Sequence, residues 1–307
     1  VKLCPPPDKK ADILILNGAE CEPYLTSDYR IMIEKPQQII VGAALMKRVL
    51  GVDHVVVGIE ENKPEAIAKM KEAIASLSAA SSDYAGIEVV TLKKKYPQGG
   101  EKQLIDAITH RQVKSMGLPI DVGAVVQNVA TSLAVYDAVQ KNRPLIDNTI
   151  TVTGECFPKQ SNLLVRVGTP LSYIIDYLGG VPETAAKAIS GGPMMGKAIA
   201  NLDAATLKGT SSVLFLTEAQ TRRNPETNCI RCGKCAEACP MGLEPFLLNK
   251  LARNGMMDEL EQNAVQDCIE CGCCLYSCPA NIPLLDIIRV AKGDVIRIIR
   301  SRTAPKK

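Results

Sequence analysis

The 307-residue sequence predicts a multidomain α/β protein that ends in a small α-helical, cysteine-rich domain. Three observations predict it. Short apolar runs alternate with helical stripes over the first half of the chain. Near Pro144 the texture changes to strands of alternating Thr and apolar residues. After Asn224-Pro225 the cysteines crowd into two runs of one spacing.

Ala11–Leu16 is an apolar run that ends in Asn17-Gly18, as a buried parallel strand does. Pro36 stands where a helix starts and Gly51 where it stops, with Ile39, Ile40, Ala43, Ala44 and Leu45 forming the stripe between them. His54–Ile59 and Ile87–Leu92 read as further strands. Pro64–Leu77, Gln103–His110 and Ser132–Gln140 read as helices. This rhythm predicts a Rossmann-like βαβ domain, a largely parallel sheet with helices on both faces. Asn148–Thr153 and Leu163–Val167 alternate as half-buried strands, and Leu171–Leu178 is a short helix closed by Gly179-Gly180. Gly191-Gly192-Pro193 and Gly196 mark a loop, and Val213–Leu216 reads as a last strand of this small α+β module. Pro245–Arg253 and Met257–Val265 are helices between the two cysteine runs. The domain limits expected are 1–143, 144–220 and 221–299, with a disordered basic tail at 300–307.

The net charge of +3 gives no reason to expect a nucleic-acid partner. The absence of Trp and the presence of only three Phe argue against a stacking platform for single strands. The apolar runs are too short to cross a bilayer. The chain opens Val-Lys-Leu-Cys without a methionine, and nothing there reads as a signal peptide.

The twelve cysteines carry the clearest chemistry. Cys229, Cys232, Cys235 and Cys239-Pro240 form a C-x2-C-x2-C-x3-C-P run, repeated at Cys268, Cys271, Cys274 and Cys278-Pro279. Close spacing aims three thiolates at one iron–sulfur cubane, and in two-cluster ferredoxins the fourth cysteine ligates the other cluster. Two [4Fe–4S] clusters are therefore expected, one on Cys229, Cys232, Cys235 and Cys278, the other on Cys268, Cys271, Cys274 and Cys239. Zinc sites use paired knuckles instead of a triple run with a fourth Cys-Pro. Cys273 is out of register and reads as a small packing residue, and Cys4, Cys21 and Cys156 read as isolated free thiols.

Clusters carry single electrons, and a neighbouring βαβ domain suggests a nucleotide or flavin as their source or sink. Three segments stand where strands end. Asn17-Gly18-Ala19-Glu20-Cys21-Glu22-Pro23 sets an amide and two carboxylates there, suited to a flavin ring, a ribose or a nicotinamide amide, and equally to an acidic surface turn. Tyr96-Pro97-Gln98-Gly99-Gly100-Glu101-Lys102 puts two glycines before a helix N-terminus, where a phosphate or flavin can approach, or where a turn is simply made. Val126-Gln127-Asn128-Val129-Ala130-Thr131 ends a strand in amides, with Thr131 expected to cap the next helix.

Taken with the clusters, these segments resemble the C subunit of the Rnf complex, the bacterial ion-translocating ferredoxin:NAD oxidoreductase. Asn-Gly-Ala-Glu-Cys-Glu-Pro-Tyr, Tyr-Pro-Gln-Gly-Gly-Glu, Cys-Ile-Arg-Cys-Gly-Lys-Cys and Cys-Ile-Glu-Cys-Gly carry the resemblance, which covers essentially the whole chain. The family is also similar to the NADH-binding flavoprotein subunit of respiratory complex I. The resemblance implies an FMN/NADH-binding first domain, a β-grasp (SLBB-like) middle module and a ferredoxin-like last domain. It implies that Lys2 contacts FMN and nucleotide, that Asn17 and Glu20 contact the flavin, and that Glu22 lies near the nicotinamide. It also implies that Tyr96, Gly99, Gly100 and Glu101 form a loop over flavin and NADH, with Glu22 and Glu101 as the catalytic carboxylates. Gln127, Asn128 and Thr131 would surround the FMN ribityl and phosphate. Ala19 and Gly100 replace acidic residues of the flavoprotein of complex I, so carbonyl and ribose contacts differ. The family's glycine-rich loop, expected ahead of Lys2, is missing from the sequence.

The function implied is hydride exchange between NAD(H) and FMN, followed by single-electron exchange with the clusters, because a nicotinamide moves two electrons and a cluster one. In this family reduced ferredoxin drives NAD⁺ reduction, and the energy pumps Na⁺ or H⁺ through membrane subunits. The chain would be a peripheral subunit at the cytoplasmic face of the cell membrane, partnered by the other membrane and iron–sulfur subunits and, through them, by ferredoxin. A similar soluble flavin iron–sulfur protein reduces cobalamin in propanediol utilisation, and a cluster-only relay is a third reading. The cysteine motifs favour the first.

Overall fold

The computed structural model describes residues 2–157 and 159–303. The chain divides into two compact units, Val1–Thr221 and Arg222–Lys307.

The first unit opens with the strand β1 (Ile13–Asn17), followed by helices α1 (Ser27–Glu34) and α2 (Pro36–Leu50). Then come β2 (His54–Glu60), α3 (Pro64–Ala80), β3 (Ile87–Leu92), α4 (Glu101–Thr109), β4 (Ala124–Asn128) and α5 (Val129–Gln140). The strands pair in parallel in the order β3-β2-β1-β4. Alternation along β1 sends Leu14 and Leu16 into one core with α1, α2, α3 and α5, and Ile15 into a second core with Leu104 and Ile105 of α4. Both faces are thereby covered, which is why the strands read as continuous apolar runs. Pro36 and Pro64 begin α2 and α3, and Gly51, at φ +65°, ends α2. Gly42 lets α2 pass against α5, since a Cβ there would overlap the Ser132 carbonyl.

The same unit continues with β5 (Asp147–Thr153), β6 (Ser161–Arg166), α6 (Leu171–Tyr177), β7 (Ala185–Ser190), β8 (Lys197–Ala198), β9 (Ser212–Thr217) and the short α7 (Glu218–Thr221). These strands form a mixed sheet in the order β6-β5-β9-β7-β8, with β5 and β9 parallel. Leu171, Ile174, Ile175 and Leu178 pack on Ile150, Val152, Val213 and the stacked Phe157–Phe215 pair. The two sheets of the unit are tied by hydrogen bonds from Thr26 N to Thr151 Oγ1 (3.2 Å) and from Tyr24 OH to Glu155 (3.0 Å).

The second unit contains the short helices α8 (Lys234–Glu237) and α11 (Cys273–Tyr276), the longer α9 (Pro245–Arg253) and α10 (Met257–Gln262), and the terminal α12 (Leu284–Thr303). Leu284, Ile288, Ala291 and Val295 place one face of α12 against Leu248, Leu251 and Leu260. The disordered tail expected at 300–307 is corrected: the helix runs on through Thr303, and the rest of that segment, 304–307, lies outside the described residues. The helix expected over Met257–Val265 stops at Gln262, because the chain turns through Ala264 at φ +54°.

Candidate functional site

In the order β3-β2-β1-β4 the topology switches direction at β1 and β4, and their carboxyl ends are the switch point, the crevice position at which open α/β sheets bind ligands. Asn17 and Asn128 are register partners at that edge. Asn17 donates its amide to the Gly99 carbonyl at 2.8 Å and accepts from Ala19 N–H at 3.1 Å, which fixes the Tyr96–Gly100 loop over the strand end. The approach is close enough that a Cβ on Gly99 would strike the Ala19 carbonyl. Gly100 leads into α4, its N–H donating to Pro97 O. Lys2 reaches the same edge, donating to Val126 O at 3.1 Å and to the carboxylate of Glu101 on the first turn of α4. Glu22 accepts from the Tyr96 hydroxyl at 3.4 Å and from the backbone N–H groups of Met194 and Met195 at 3.1 and 2.8 Å. Burial pushes its carboxyl up, opposed by those donors. Lys2, Asn17, Glu22, Tyr96, Gly99, Gly100 and Glu101 are thus gathered from distant parts of the sequence.

The expectations for Glu20, Asn128 and Thr131 change. Glu20 does not present its carboxylate to the crevice: it accepts from Asp28 N–H (2.9 Å), Tyr29 N–H (3.3 Å) and Ser27 Oγ, and pairs with Lys63 at 3.1 Å. It therefore caps α1, whose own N-cap residue, Thr26, makes no side-chain cap. Asn128, not Thr131, caps α5, because its extended backbone lets Oδ1 reach Ala130 N–H at 2.7 Å. The Asn128 amide is also committed, donating to Asp28 at 2.7 Å. The Gln127 amide and Thr131 hydroxyl make no side-chain hydrogen bond among the described residues and remain open to a ligand.

Burial and the neighbouring Glu20 carboxylate push Asp28 up to about 7, against the pull of Asn128 and Lys63. The folded carboxyl thus holds its proton more tightly than an unfolded one, whose pKa is near 4. The stability tied to this proton is complete below about pH 4 and is lost as the pH rises through about 7, at ~1.4 kcal/mol per unit at most. Asp28→Asn should therefore flatten the loss of stability of the first unit between pH 5 and 8, measured by urea unfolding. An unchanged pH profile would show that Asp28 ionises normally.

In the second unit Cys229, Cys232, Cys235 and Cys278 line one cavity of about 820 Å³. Cys239, Cys268, Cys271 and Cys274 line a second, small one together with Cys273. Each set takes three cysteines from one run and the fourth from the other. The two runs fold alike: Arg231 and Glu270 both have φ +57°, and Gly233 and Gly272 have φ +76° and +80°. Glu270 accepts from Arg289 and Lys292 of α12 at 2.8 and 3.0 Å, and Lys292 also donates to Cys268 O. These bonds fasten the second ligand loop to α12. Burial pushes the Cys271 and Cys274 thiols up to about 12, so a metal held there would take the place of a tightly held proton. Among the described residues no three ligating side chains close tightly enough for a single metal ion. The two tetrads have the donor chemistry of cubane clusters. Of the remaining thiols, Cys4 is exposed and Cys21 half-buried, and Cys156 donates to Phe215 O.

Residues 1–137 match the family model of the Nuo51 FMN-binding domain, 149–198 the SLBB domain and 221–279 the 4Fe-4S dicluster domain. The chain is 48% identical over 262 residues to the C subunit of the proton-translocating ferredoxin:NAD(+) oxidoreductase complex of Clostridium ljungdahlii, covering 85% of this chain and 56% of that one. It is 43% identical to the Na(+)-translocating counterpart of Acetobacterium woodii, covering 96% of this chain and 65% of that one. The chain belongs to the C-subunit family of ion-translocating ferredoxin:NAD oxidoreductases. It spans between half and two thirds of the length of these curated relatives. A crystal structure of an NAD+-reducing [NiFe]-hydrogenase shares the fold, with a TM-score of 0.63 at 15% identity, over 96% of this chain and 61% of that one. No helix among the described residues is long and apolar enough to cross a membrane.

The crevice suits FMN in its chemistry: a lysine for negative charge, an aromatic ring at Tyr96, and the open polar groups of Gln127 and Thr131. Sequence reasoning missed Asp28, Lys63 and the Met194–Met195 amides. Thr-Ser-Asp at 26–28 was an available helix-start signal. Backbone donors from a distant loop leave no signal of residue type.

Proposed function

We propose that this chain carries electrons between NAD(H) and two [4Fe–4S] clusters by way of FMN, as the peripheral C subunit of a membrane complex that couples ferredoxin:NAD oxidoreduction to Na⁺ or H⁺ transport. The observation that carries the reading is the presence in one chain of an FMN-binding domain with a polar crevice at the β1/β4 switch point and of two interleaved cysteine tetrads. FMN, when bound, supplies the exchange between two-electron and one-electron chemistry. Lys2 offers charge and Asn17 holds the covering loop. Tyr96 offers a ring face, Glu22 orients the nicotinamide end, and Gln127 and Thr131 bind along the ribityl and phosphate. Asn128 and Glu20 serve by ordering the helix starts around the crevice. Cys229, Cys232, Cys235 and Cys278 hold one cluster, and Cys268, Cys271, Cys274 and Cys239 hold the other. The domains are 1–143, 144–220 and 221–299. The partners are the complex's other membrane and iron–sulfur subunits at the cytoplasmic face of the cell membrane, with ferredoxin acting through them; nucleic acid is not among them. The relatives are named for different ions, H⁺ and Na⁺.

Glu22→Gln tests the nucleotide end. A glutamine keeps the shape and loses the charge that the Met194 and Met195 amides and Tyr96 surround. NADH turnover in the full-length protein should fall by roughly tenfold or more while FMN stays bound, since charge-assisted hydrogen bonds are worth about 1.5–3 kcal/mol. Equal loss of turnover and flavin would make Glu22 a structural residue.

A further inference from the structure

We propose that the Gly191–Gly196 loop of the β-grasp module is a positioning element of the nucleotide site, holding Glu22 in place. This rests on the nucleotide reading above.

Alongside the Tyr96 hydroxyl, the N–H groups of Met194 and Met195 donate to the Glu22 carboxylate, one to each oxygen. Gly192 lies directly against that carboxylate, and a Cβ there would overlap the Glu22 side chain. The loop is built to bring its amides there: Gly191 adopts φ +97°, and Gly196 N–H donates back to Gly192 O at 2.9 Å. A Cβ on Gly196 would meet the Gly192 carbonyl and Ile189, so the turn closes only with glycine. The carboxylate is partly removed from water, and two backbone donors favour its charged form. Tyr96 shares Glu22 with the loop, so the position of its hydroxyl also depends on it.

A backbone pair is a rigid way to aim a carboxylate, because amides in a closed turn have no rotamers to lose. The loop therefore acts through Glu22 on the nicotinamide end of the ligand and leaves the adenosine end alone.

The experiment uses the full-length, FMN-loaded, oxidised protein, titrated calorimetrically with NAD⁺ and with ADP-ribose, which lacks the nicotinamide. In Gly192→Ala, NAD⁺ should bind about tenfold more weakly, ADP-ribose as in the parent, with FMN content unchanged. Gly209→Ala, where a Cβ meets nothing within 4 Å, is the control and should change neither affinity. Adding Gly192→Ala to Glu22→Gln should cost nothing further, since both act through one carboxylate. Equal weakening of both ligands, loss of FMN, or additive losses in the double variant would overturn the proposal and leave the loop a tie between domains. If Gly192→Ala unfolds, Glu22→Gln alone decides: loss of NAD⁺ affinity with ADP-ribose retained supports the role, and no loss overturns it. If the parent protein binds neither ligand, the nucleotide reading itself fails and the proposal with it.

Discussion

Cys278→Ala is expected to remove the cluster that belongs to the other cysteine run. Cys278 follows Cys268, Cys271 and Cys274 in sequence, yet it lines the cavity of Cys229, Cys232 and Cys235. Iron should fall from about eight to about four per chain, as for any loss of one ligand from a two-cluster set. The pairings of variants decide the assignment. Cys232→Ala with Cys278→Ala strikes one tetrad twice and should still leave about four irons, whereas Cys268→Ala with Cys278→Ala strikes both and should leave almost none. The opposite pattern would mean that each run binds its own cluster. In every variant the first unit should stay folded, because its cores include no residue of the second.

Lys63→Met is expected to be the most damaging single change in the first unit. Lys63 pairs with Glu20 at 3.1 Å, and the two side chains are only 12% and 4% exposed. It also lies 4.9 Å from the centre of the Tyr29 ring. Glu60, buried at the end of β2 and pushed up by that burial, is held down by the same lysine. Removing the cation leaves the buried Glu20 charge with only its helix-start donors beside Asp28, and breaking a buried pair of this kind costs about 3–5 kcal/mol. Urea unfolding of the first unit should show that loss while cluster absorbance persists. Adding Glu20→Gln should recover part of it, because the orphaned charge is then gone. A loss below about 1 kcal/mol would place the pair in the class of solvent-screened surface bridges.

What is legible in the sequence follows from what spacing can encode. The cysteine runs are legible because a cubane needs thiolates at fixed short intervals. The parallel strands are legible because burial on both faces leaves unbroken apolar runs such as Leu14–Leu16. Pro36, Pro64 and Gly51 mark helix ends because their backbone preferences are local. Helix α12 is harder to read: Leu284, Ile288, Ala291 and Val295 carry a helical stripe, but the basic residues at its end suggest a tail. In the crevice, Asn17, Glu22 and the Gly99–Gly100 loop stand out by their place after strands. The roles of Glu20 and Asn128 do not, because a carboxylate or amide at a strand end serves a ligand and a helix start equally well. Only the positions of the Asp28 and Tyr29 amides distinguish the two, and those arise from packing.

The central claim is best tested by measuring iron and flavin in anaerobically purified full-length protein and then adding NADH. About eight irons, one FMN and bleaching of the cluster absorbance by NADH are expected. Eight irons with no flavin and no response to NADH would contradict the account and leave a ferredoxin-like relay.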